Sequence, residues 1–213
     1  MRLLSDAVYG FLAGLAISLG ATVYLALGRG LGGAVLFSVG LFAICSFGWN
    51  LFTGKVCYAI GKGPGYILFL AVIYLANLAG TLAAGLLLRA TRLVNVVQEA
   101  EAVAAVKLGD SLLSVFILAV FCNVLIYIAV EGYRSIESGV GKYLAIFFGV
   151  TVFVACGFEH CVANMYYITL AGAWSWRAVA FILVNTLGNA AGGLLIPACK
   201  LLVSRLEVRA GAK

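Results

Sequence analysis

The 213-residue chain carries 64% apolar and 10% charged side chains, with a mean hydropathy of +1.13 and a net charge of +6. A soluble domain has roughly 45–50% apolar and about 25% charged residues, so a water-soluble fold is excluded and a lipid bilayer is the expected surrounding. The basic residues are scattered and form no reading motif, which argues against nucleic-acid binding.

Six uncharged runs are long enough to cross roughly 30 Å of hydrocarbon as helices. They fall at about 7–27, 31–54, 66–88, 111–130, 143–176 and 178–199, the fifth interrupted by Glu159 and His160. Barrel strands would be near ten residues long and alternating, so an all-α membrane fold of six transmembrane helices is expected. The first run is too long for a signal-peptide core and has no cleavage site, so it reads as a retained span.

Six spans bring both termini to one side. Arg2, Lys55, Lys62, Arg134, Lys142, Lys200, Arg205, Arg209 and Lys213 share that side, against Arg29, Arg89, Arg92, Lys107 and Arg177 on the other. The excess of positive charge predicts cytoplasmic termini.

The two halves resemble each other. A shift of 111 pairs Phe37 with Phe148, Cys45 with Cys156 and Phe47 with Phe158; a shift of 108 pairs Asn77 with Asn185, Gly80 with Gly188 and Gly85 with Gly193. The chain thus reads as one transmembrane domain over 1–213, with a first repeat at about 1–90 and a second at about 107–205. Three spans cross an odd number of times, so the second copy is inverted, as in many transporters and channels. Segments two and five carry polar interruptions, Gly48-Trp49-Asn50-Leu51-Phe52-Thr53-Gly54-Lys55 and Gly157 through Asn164. Paired interruptions predict broken helices, whose N-terminal N–H groups would meet near the midplane and suit an anion. The glycines of segments three and six predict close packing, making those segments scaffold.

The fifth segment holds the chain's one histidine, in Cys156-Gly157-Phe158-Glu159-His160-Cys161-Val162-Ala163-Asn164-Met165. Ionisable groups at that depth are costly and point to function. Three readings are open. His160 can serve a conduction path; Cys156, His160 and Cys161 can serve a redox or metal site; or the chain can be a neutral-solute channel. Cys156 and Cys161 lie five residues apart and share a helix face poorly, which weakens the second. The paired Asn-Pro-Ala motifs of neutral-solute channels are absent, and Pro64 and Pro197 fall outside the interruptions. The cysteines at 45, 57, 122, 156, 161 and 199 form no CxxC pair and read as packing residues.

Phe158-Glu159-His160-Cys161-Val162-Ala163-Asn164-Met165, with Leu51-Phe52-Thr53-Gly54 in the first half, resembles the formate/nitrite transporter family, as does the spacing from Lys107 to Asn123, Leu125 and Ala129. The resemblance covers nearly the whole chain. It implies an aquaporin-like fold with segments two and five broken, and a homopentamer with one pore per protomer. It also implies a channel rather than an enzyme, without a cofactor or metal, in a bacterial or archaeal plasma membrane. By position, His160 resembles the central pore histidine, Thr53 the loop threonine, Lys107 the vestibule lysine and Asn123 the asparagine below it; Asn164 belongs to the same signature. Phe37, Leu41, Leu51, Phe52, Ile126, Phe153 and Ala163 resemble the residues of two hydrophobic constrictions. The chain departs from the family at Asn50, where an acidic residue is common, and at Lys55, where asparagine is common. The amphipathic N-terminal helix that gates some members of the family is expected to be absent or truncated here.

The expected partners are small weak-acid anions (formate, nitrite or hydrosulfide) and protons, in a lipid bilayer. Such an anion is poorly solvated between apolar constrictions, and protonation removes most of that cost. Lys107 would concentrate it, Thr53 and Asn123 would supply hydrogen bonds, and His160 would donate a proton or polarise a water that does. Lys55, Glu159 and Cys161 are possible modulators. Glu159, one residue before His160, is expected to face away from the pore.

Overall fold

The computed structural model describes residues 2–211, with side chains from residue 3. Among the described residues the chain is wholly helical: α1 Arg2–Ala26, α2 Leu31–Phe37, α3 Val39–Phe47, α4 Phe52–Val56, α5 Pro64–Arg89, α6 Val94–Gly109, α7 Leu112–Ser135, α8 Gly139–Ala155, α9 Cys161–Ala171 and α10 Trp176–Arg209. By length and composition, four helices can cross a membrane: 3–26 within α1, and α5, α7 and α10. Their outer faces carry large apolar side chains such as Leu19, Leu75, Leu113, Phe121 and Leu187, each more than half exposed. Apolar surface on that scale needs lipid or a partner to cover it.

The remaining two apolar runs are interrupted. α2 and α3 are nearly continuous through Ser38, and the chain then leaves the helix at Gly48 in the left-handed region (φ 70°), runs extended through Leu51 and restarts as α4. In the second half, α8 ends before Gly157 (φ 69°), and the chain restarts at α9. Glycine meets each positive φ without the Cβ penalty that other residues face. The two interruptions therefore correspond at a shift of 109, two residues from the pairing of Phe47 with Phe158. Pro64 stands at the first turn of α5, where its missing N–H costs nothing. Pro197 lies within α10.

α1 packs along α5, and α7 along α10. The contacts are close enough to require glycine. A Cβ on Gly80 would strike the Phe11 carbonyl of α1, and one on Gly192 the Val120 carbonyl of α7. The half-helices sit between these pairs. α4 touches α5, α7, α9 and α10, and α9 touches α1, α4, α5, α6 and α10.

Two asparagines hold the half-helices in place. Asn77 of α5 accepts from the Phe52 N–H (2.9 Å) and donates to the carbonyls of Gly10 (2.8 Å) and Asn50 (2.9 Å). Asn189 of α10 accepts from the Cys161 N–H (2.8 Å) and donates to the carbonyls of Ala119 (2.8 Å) and Glu159 (2.8 Å). The counterpart of Asn77 is therefore Asn189. Asn185, its partner at a shift of 108, is fully buried with both side-chain polar atoms unpaired among the described residues. After α5 the chain forms helix α6, which buries Val96, Ala100, Val103 and Ala104.

Candidate functional site: a histidine–threonine bridge between two cavities

His160 is the N-cap of α9. It is fully enclosed, with extended backbone (φ −101°), and its Nδ1 accepts from the Ala163 N–H at 3.1 Å. A ring nitrogen that accepts carries no proton, so in the neutral imidazole the proton sits on Nε2. Nε2 lies 2.9 Å from Thr53 Oγ1 and donates to it. That leaves the Thr53 hydroxyl hydrogen free to donate onward. Charging the ring would put a proton on Nδ1 against the Ala163 N–H, so the cap holds His160 neutral. The ring also stacks on Phe153, centroids 5.6 Å apart.

Two cavities flank this bridge. One, of about 480 Å³, is lined by Phe37, Phe153, Ala163, Asn164, His160, Glu159, Lys107 and Leu118 among others. The other, of about 800 Å³, is lined by Leu41, Leu51, Lys55, Tyr127 and Arg134 among others. Leu118 lies towards the start of α7 and Arg134 near its end, so the cavities lie towards opposite ends of that helix. Phe37 and Phe153 meet edge-to-face at 5.8 Å. The other two residues of the expected constrictions line neither cavity. Phe52 packs edge-on against Tyr74 of α5 (5.0 Å), and Ile126 is buried in the core.

Glu159 does not face away. Its Oε2 accepts from Lys107 Nζ (2.7 Å) and from Asn164 Nδ2 (2.5 Å), and all three side chains border the cavity that holds His160. The ion pair is nearly dry, its side chains 15% and 4% exposed. Lys107 reaches this position because α6 delivers it there. Glu99 pairs instead with Arg29 (2.7 Å). Asn123 lies behind Thr53, donating to the Thr53 carbonyl (3.0 Å) and to Cys57 Sγ (3.7 Å), so it sets the position of the threonine. The expected free N–H groups at the half-helix ends are partly taken, Phe52's by Asn77, Cys161's by Asn189 and Ala163's by His160. Cys161 is fully buried and Cys156 exposed, so the two thiols do not share a site with His160. Sequence reasoning missed the two asparagine clamps and the Lys107–Glu159–Asn164 cluster. The signal for the clamps was present, as two buried-span asparagines in comparable places.

Comparison with known proteins agrees with this fold. Residues 1–203 match the family model described as formate/nitrite transporter. An uncharacterized transporter of Bacillus subtilis, YrhG, is 34% identical over 176 residues, 76% of this chain and 66% of that protein. The chain spans about a third to two thirds of the length of the curated relatives it matches. Among solved structures, a pentameric formate channel with formate bound superposes with a TM-score of 0.85 at 24% identity, covering 96% of this chain and 98% of that one. An ion channel of the FNT family gives 0.84 at 26% identity, covering 94% and 90%. A whole-chain family match, a shared fold and a set of membrane-length helices together make this an integral multi-pass membrane protein of the formate/nitrite transporter family.

Proposed function

We propose that the chain conducts small monovalent anions of weak acids (formate, nitrite or hydrosulfide) across the membrane, with the central histidine aiding proton exchange with the anion. The observation that carries this reading is the 2.9 Å bond between His160 Nε2 and Thr53 Oγ1, which joins the two half-helices between the two cavities. An anion approaching Phe37 and Phe153 loses water, and the apolar walls return little in exchange. Its neutral acid crosses at lower cost. The hydroxyl of Thr53, polarised by the Nε2–H of His160, offers a directed donor at the point of greatest desolvation. Since the cap keeps the ring neutral, His160 acts through hydrogen bonding, and the proton that neutralises the anion comes from the solution, relayed by water entering with the anion, and is released with it on the far side.

The Lys107–Glu159 pair is close to neutral as a unit. Its attraction for an anion is therefore short-ranged, exerted by the N–H groups of Lys107 that Glu159 leaves free. Asn164 shares Glu159 with Lys107 and fixes the carboxylate in place at the wall of the cavity.

The same proposal takes the six apolar runs as spans in two inverted three-span repeats. The matched asparagine clamps and the two left-handed glycines support it. Positive charge on the terminal side supports cytoplasmic termini. Likeness to a pentameric formate channel supports a homopentamer, and likeness to a Bacillus subtilis transporter supports a bacterial or archaeal plasma membrane.

The test is flux in liposomes containing the purified protein. Formate, nitrite or hydrosulfide should pass, and His160→Ala should change the rate or its pH dependence. Absence of flux for every small weak acid would end the reading.

A further inference from the structure

The two cavities differ in how their charges are satisfied. At the one holding His160, both cations have a carboxylate partner at 2.7 Å, Arg29 with Glu99 and Lys107 with Glu159. The larger cavity, on the side of the chain's ends, has four cations on its wall, Lys55, Lys62, Arg134 and Lys200, and one carboxylate, Glu131. Glu131 is engaged by the Tyr58 hydroxyl (2.7 Å) and by Ser135 (3.2 Å). Among the described residues, none of the four cations has a carboxylate at ion-pair distance. Lys200 donates to Tyr127 (3.0 Å), and Arg134 lies over the Tyr58 ring at 4.6 Å.

Lys55 is the least satisfied of these. It follows Thr53 by two residues on α4 and is half-buried. Its backbone carbonyl is held by the Tyr66 hydroxyl (2.8 Å), but no side chain among the described residues hydrogen-bonds its ammonium. Its strongest charged neighbour is the like charge of Arg134, with Asp6 a weaker opposite charge. Lys55, half-buried on the wall of the cavity and faced by the exposed guanidinium of Arg134, lowers its energy when an anion stands between the two cations.

We propose that a small monovalent anion binds between Lys55 and Arg134, and that the cavity on the terminal side is the collecting end of the path. This rests on the conduction reading for its purpose, though not for its geometry. It makes the chain electrically lopsided. Anions gather at the end with unpaired cations and meet only balanced ion pairs at the other, so flux from the terminal side saturates at a lower concentration.

Trp49 lines the same cavity and provides a reporter independent of transport. With Trp174 and Trp176 replaced by phenylalanine in the purified protein, Trp49 fluorescence reads local quencher concentration. Iodide, a monovalent anion, should quench it efficiently. Lys55→Gln should lower the iodide quenching constant roughly threefold or more, given the enrichment charged clefts achieve. Neutral acrylamide should quench both forms alike, and Lys55→Arg should retain the iodide effect. Unchanged iodide quenching, or equal changes for iodide and acrylamide, overturns the site. In oriented liposomes, Lys55→Gln should raise the half-saturating formate concentration from the terminal side only; equal shifts from both sides overturn the lopsided path. Iodide enrichment in a protein that passes no weak acid would sink conduction and leave the site standing.

Discussion

At the scale of single residues, the side chains around His160 restrict one another's chemistry. The imidazole spends one nitrogen capping α9 and the other on Thr53, which is why it works as a fixed donor. Glu159 shows where sequence reasoning stops. Adjacent residues on a helix point about 100° apart, which predicts that Glu159 turns from the path if His160 faces it. Neither residue is inside a helix, however: both lie in the non-helical link between α8 and α9, where His160 is extended, so the helical rotation does not apply. The buried Lys107–Glu159 pair gives a clear mutational contrast. Glu159→Gln strands an ammonium that is 15% exposed, at an expected cost of about 3–5 kcal/mol. Removing both charges, as Lys107→Met with Glu159→Gln, should cost less than Glu159→Gln alone. Thermal unfolding of the solubilised protein checks the order, and equal losses would mean the pair is not coupled.

Among the elements, the half-helices depend on two side chains from neighbouring helices. Asn189 closes three hydrogen bonds across the second interruption, whereas Asn185, four residues earlier on α10, closes none among the described residues. Asn189→Ala should therefore destabilise by about 2–4 kcal/mol through orphaned backbone groups. Asn185→Ala should be close to neutral or stabilising, since it removes an unpaired buried amide. A fall in melting temperature for Asn185→Ala as large as that for Asn189→Ala would contradict the assignment. The broken segments and the long spans were legible in the sequence because length, hydropathy and left-handed glycines are local signals. The repeat register was not: in Gly- and Ala-rich helices a slip of a few residues still finds matches, as Gly80 with Gly188 shows. α6 was hidden by its charged residues, which mark it only as a break between spans. Its buried face, Val96, Ala100, Val103 and Ala104, follows helical spacing once it is sought.

Taken whole, the molecule sets two unlike halves around one centre. The sequence conveyed the two interrupted segments better than the differences between them, because an interruption is a local signal while its surroundings depend on what each helix packs against. α9 has eleven residues, and all from Cys161 to Leu170 are buried. α4 has five, flanked by irregular chain on both sides and bordering the larger cavity. The jaws of the bridge consequently differ in stiffness. Thr53 rides on the compliant one, and His160 is anchored in the rigid one. Local opening favours segments with few buried contacts and short runs of backbone bonding. Hydrogen exchange on the solubilised protein should find the amides of α4 exchanging well before those of α9, and the reverse order would refute the assignment. If the bridge ever parts to let a solute by, the threonine side is the one that yields.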